Sequence, residues 1–134
     1  MQVGVNVMKK FLNIWFSIDM STNSDKTKPE FTRGPYYSEV AKMIKRFKDN
    51  NYQVINLISI GGWNSIHVNV NFTAEEYYKE WIEFNKRISK QESDFYGFDG
   101  IDWDIEGNSD KKSNINNFTF KELDIMGKFS QLLK

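Results

Sequence analysis

Four acidic side chains fall within the eight residues Asp99–Glu106, and three of them, Asp102, Asp104 and Glu106, occupy alternate positions. In a β-strand that spacing puts all three carboxylates on one face and Ile101, Trp103 and Ile105 on the other. Neighbours on one face stand about 6–7 Å apart. The apolar face is predicted to pack against helices, which turns the acidic face toward an interior. Carboxylates crowded into a low-dielectric space cannot all ionise cheaply, so the set is expected to titrate together and to retain a proton. A carboxyl held that way can act as a general acid. Glu106, last in the run and with the longest stem, is the candidate proton donor. Asp104 is one step deeper, able to bond Glu106 or to turn toward a substrate, and Asp102 is a deeper partner that tunes Asp104. Asp99 lies off the alternation and precedes Gly100, which points to a structural role. The window lacks the glycine and the closing glutamate of a calcium-binding helix–loop–helix motif, so no metal is expected.

A second short run, Ser59-Ile60-Gly61-Gly62, closes an apolar stretch. Glycines there either make an ordinary turn or let backbone or ligand approach closely. Trp63 follows and is a candidate for stacking on a ligand or for core packing. Trp15 and Trp81 read as core. The one histidine, His67, has no partner set for a triad or a metal site, and no role is assigned to it. Two sequons, at Asn71 and Asn117, precede helix-capping sequences.

Elements that could position these residues follow from periodicity. Phe11–Ile18 and Val54–Ile60 read as buried strands, Met20–Gly34 as a long polar loop, and Gly100–Ile105 as a third strand. Pro35 suits the start of a helix carrying Val40, Met43, Ile44 and Phe47. Thr73 with Glu76, and Thr119 with Glu122, form capping-box sequences that open two more helices. The recurring order of strand, loop and helix argues for parallel strands with helical crossovers, read as a piece of an eight-stranded α/β barrel, with a small open α/β sheet as the alternative. Val3–Val7 is too short a signal to assign as a further strand.

The chain has 134 residues, 40% hydrophobic and 16% aromatic, enough for one modest core. Lysine plus arginine equal aspartate plus glutamate at 18 each, which leaves no basic field to gather nucleic acid or anionic lipid. Cysteine is absent, excluding disulfide scaffolds and thiolate-bound zinc. Neither a nucleic-acid partner nor a membrane partner is expected. Met8–Ile18 resembles a signal peptide faintly, without a clear small-residue cleavage site.

Asp99-Gly100-Ile101-Asp102-Trp103-Asp104-Ile105-Glu106 resembles the DxxDxDxE signature of family 18 glycoside hydrolases, and Ser59-Ile60-Gly61-Gly62 resembles that family's SxGG motif. The resemblance implies an α/β fold, a partial TIM (β/α)8 barrel with about half of the full domain present, running from strand 2 to helix 4 over residues 1–134. It implies a chitinase-type enzyme that hydrolyses β-1,4 bonds in chitin or N-acetylglucosamine oligomers by a retaining, substrate-assisted mechanism. An endo-β-N-acetylglucosaminidase and a non-hydrolytic chitin-binding lectin are the alternatives. Glu106 would be the acid/base, Asp104 the acetamido partner, Asp102 its buried neighbour and Ser59 the serine beside them. Gly61, Gly62, Trp63 and Asp99 would support substrate. No cofactor is implied, the partner would be a chitin-type oligosaccharide, and secretion is favoured. The later barrel strands, with their tyrosine and tryptophan, are not found in the sequence, so the chain alone is expected to be inactive.

Overall fold

Branched and aromatic residues favour extended chain, and Lys10–Thr22 forms β1 at the centre of the sheet. The computed structural model describes residues 10–22, 26–32, 37–91 and 95–134, and for 10–22, 32 and 91 it describes the backbone path. The remaining elements are β2 (Pro29–Thr32), α1 (Tyr37–Asp49), β3 (Val54–Gly62), α2 (Ala74–Gln91), β4 (Gly100–Ile105), a 3-10 turn at Asn114–Asn116 and α3 (Phe120–Leu132). Val3–Val7 and Pro35 lie outside the described residues, and so does the Trp15 side chain.

The sheet order is β2-β1-β3-β4. β1, β3 and β4 are parallel: Phe11 pairs with Ile55 and Ile18 with Ile60, and Ser59 pairs with Asp102. β2 runs antiparallel to the end of β1, with Asp19 opposite Thr32 and Thr22 opposite Pro29. The polar segment read as one long loop from Met20 to Gly34 therefore contains the end of β1 and a fourth strand. β2 earns its place through Phe31, 4% exposed, whose ring meets Trp81 at 5.9 Å, Phe84 at 5.7 Å and Phe129 at 6.2 Å. Ring pairs of this kind contribute about 0.5–1.5 kcal/mol beyond the area they bury.

The barrel expectation is corrected here. A (β/α)8 barrel is an all-parallel sheet closed on itself. In this chain β2 lies antiparallel along β1 at one edge and β4 ends the other, so the sheet of the described residues is open. Strand–helix alternation was the basis for the barrel, and it is equally compatible with an open sheet.

All three helices share one core with the sheet. α1 supplies Val40, Ala41 and Ile44; α2 supplies Tyr77, Trp81, Phe84 and Ile88; α3 supplies Ile125 and Phe129; Ile58 and Ile60 of β3 meet them. Both capping boxes form: Thr73 N–H donates to Glu76 Oε2 at 2.7 Å, and Thr119 N–H donates to Glu122 Oε2 at 2.6 Å. No described helix is long and apolar enough to cross a membrane.

Candidate functional site

β4 carries the acidic residues, and its alternation is resolved by what each side chain touches. Trp103 Nε1 donates to Ser130 Oγ on α3 at 2.9 Å, and the indole meets Phe129 edge-on at 6.1 Å. Ile101 packs against the same core. Asp102 is turned the other way: its Oδ2 accepts from Ser59 Oγ at 3.1 Å across the β3–β4 pair. Strand geometry puts Asp104 on that side as well, and Glu106 follows just past the end of β4. Asp102 and Asp104 are half-buried and Glu106 is exposed. The described residues form no closed barrel interior around them, because the sheet is open.

Among the described residues the carboxylates of Asp104 and Glu106 have no hydrogen bond and no ion pair. Asp99 sits apart at the start of the strand. Its Oδ2 accepts from Asn56 N–H at 2.6 Å, and its own N–H donates to Asn56 O at 2.7 Å, so it extends the β3–β4 pairing by one step.

Gly61 and Gly62 end β3 with φ of +126° and +98°. Gly61 faces Asp104 across the pair, and a Cβ there would overlap the Asp104 carbonyl oxygen. Its bare backbone thus brings the two strands together beneath the carboxylates. Trp63 follows, 62% exposed. Trp81 is in the core.

Two arrangements were not visible in the sequence. The first ties the loop after β3 to the loop after β4. Asn64 N–H donates to Gly107 O at 2.7 Å, and Asn108 Nδ2 donates to Asn64 Oδ1 at 2.9 Å and to Ser113 Oγ at 3.0 Å. The second surrounds His67. Nδ1 lies 3.0 Å from Glu122 Oε1, Nε2 lies 2.9 Å from Ile115 O, and the ring stacks on Phe118 at 3.8 Å. Both partners are acceptors, so the ring meets both at once only when each nitrogen carries a proton. Burial raises the Glu122 carboxyl, but hydrogen bonds from Thr119 and His67 and the His67 charge outweigh it and hold the group below its ordinary value of 4.5. His67, Ile66 and Ile115 border an open groove of about 490 Å³, and the same three residues line a small pocket together with Asp104 and Glu106. Local sequence could not pair His67 with groups 48 and 55 residues away.

Among the described residues, no three His, Cys, Asp or Glu side chains converge tightly enough to hold a metal ion. The strand explains this, since it spreads its carboxylates along one line.

No protein-family model matches the chain, and no curated protein matches it. With the sheet open and no family shown, the resemblance to family 18 glycoside hydrolases is not upheld. The chitinase activity, its endo-β-N-acetylglucosaminidase and lectin alternatives, and the chitin-type partner go with it. What carried them was two short motifs, and the closed barrel that would wall a sugar cleft around those motifs is not formed by the described residues.

Proposed function

We propose that the acidic face of β4 is a recognition site for organic cations, and that the chain acts as a binding module through it. The observation that carries this reading is the Asp104 carboxylate at the end of β4 and the Glu106 carboxylate just beyond it, neither with a hydrogen bond or ion pair among the described residues. Ionised carboxylates only accept hydrogen bonds, so their ligand must donate, and a cation gains most. A line of separated carboxylates suits a molecule with spaced ammonium groups better than a single metal ion. The position supports the same reading, because open α/β sheets bind ligands outside the carboxyl ends of their strands. Ser59 and Asp102 form the inner wall, and the glycines at 61 and 62 keep the adjoining backbone low.

The test is an amide-shift titration with a linear diamine, set against a neutral diol of the same length. Saturable shifts at Asp104–Gly107 with the diamine alone are expected, weakening as salt rises because the site is exposed. Equal shifts with the diol, or diamine shifts unchanged in an Asp104→Asn, Glu106→Gln double variant, would refute the reading.

A further inference from the structure

β4 pairs with β3 and with no other described strand, so alternate backbone groups along its outer side are directed away from the sheet. The strand is also less buried than its neighbour: Gly100–Asp104 are half-buried and Ile105 is exposed, whereas β3, flanked on both sides, is buried from Ile58 to Gly62. Sheet edges are commonly blunted by proline, by a bulge or by being very short. β4 has no proline, and its register with β3 runs unbroken from Leu57↔Gly100 to Gly62↔Ile105. The opposite edge is blunted: β2 has four residues, opens with Pro29 and is held to the core by Phe31.

We propose that the β4 edge accepts an extended, basic segment of another protein as an added strand. This rests on the reading of the acidic face as a cation site and names the form in which the cations arrive. Strand addition takes its affinity from main-chain hydrogen bonds and its specificity from alternate side chains. A strand laid beside β4 places every second side chain on the face that carries Asp102 and Asp104, with Glu106 just past its end, and lysine or arginine is complementary there. The same charge excludes a second copy of this chain, because edge-to-edge pairing of two β4 strands brings acidic faces together. The other protection an edge can have, charge along its face, therefore acts here as a filter for the sign of the incoming strand.

The probes are a short peptide alternating lysine and threonine, the same peptide with alternate backbone nitrogens methylated, and a glutamate–threonine counterpart. Each is titrated against the full chain by fluorescence anisotropy, and amide exchange of β4 is measured in the complex. The lysine peptide is expected to bind and to slow exchange along Gly100–Ile105. Methylation, which keeps the charges and blocks the ladder, is expected to weaken binding about tenfold. The glutamate peptide is expected not to bind. Equal affinity for the methylated peptide, or for the glutamate peptide, would overturn strand addition. If the methylated peptide and a free diamine both bind and both depend on Asp104 and Glu106, the cation site stands without the added strand. If the Asp104→Asn, Glu106→Gln variant binds lysine peptide and diamine unchanged, both readings fall.

Discussion

The chain treats its carboxylates in two ways. Glu80, 4% exposed, is met by Arg87 at 2.9 Å and Lys28 at 3.4 Å. Glu122 accepts from Thr119 and lies against His67. Each of these ties distant parts together: Glu80 joins α2 to the segment before β2, and Glu122 joins α3 to the loop after β3. Asp104 and Glu106, by contrast, have no such partner among the described residues. A buried carboxylate without compensation costs several kcal/mol, on the order of 3–5, so the interior ones must be matched. Glu106 is exposed and Asp104 only half-buried, so leaving them unmatched costs less, and their charge remains available to a ligand.

Four perturbations would break or sharpen that contrast. The largest effect is expected from Gly61→Ala, which touches no carboxylate. The new methyl group meets the Asp104 carbonyl oxygen at a φ of +126°, and a loss of about 3 kcal/mol or more in urea denaturation is expected. Stability beneath the acidic strand would then be shown to reside in backbone contact. Next is Arg87→Ala, which leaves buried Glu80 facing Lys28 at 3.4 Å; about 2 kcal/mol should be lost in the same assay. A smaller effect follows acidification. Glu122 titrates below its ordinary 4.5 when folded, so in the window from 4.5 down to that lower value the unfolded chain binds more protons. Stability is therefore present above the window and falls as pH drops through it. Glu122→Gln should remove this component of the pH dependence, at about 1 kcal/mol for the weakened cap. The smallest change belongs to the Asp104→Asn, Glu106→Gln double variant. Its stability should stay within about 0.5 kcal/mol of the parent, while cation binding is lost. A large loss of stability there would make these carboxylates structural and erase the contrast.

What could be read from sequence was local. The face of β4 was legible because strict alternation with a packed aromatic at Trp103 leaves one orientation for the acidic side chains. The capping boxes were legible because their two partners are three residues apart. The strand β2 was not: four residues in a polar segment give no periodicity, and Phe31 became an anchor only through rings on α2 and α3. Closure of the sheet was beyond the same kind of reading. Strand–helix alternation specifies parallel crossovers, but a short antiparallel partner at one edge decides whether the sheet goes on around. The role of His67 was hidden for a comparable reason, since its partners come from the far end of the chain.

The asparagine tie between the two loops has a practical side. Asn64 and Asn108 hold each other, and Gly107 O is held by Asn64 N–H. The loop after β3 and the loop after β4 are therefore one transplantable part with two insertions into the scaffold. A graft that moves one loop to another protein without the other would strand an amide donor and a carbonyl at the seam. An engineer who lengthens either loop must redesign its neighbour in the same step.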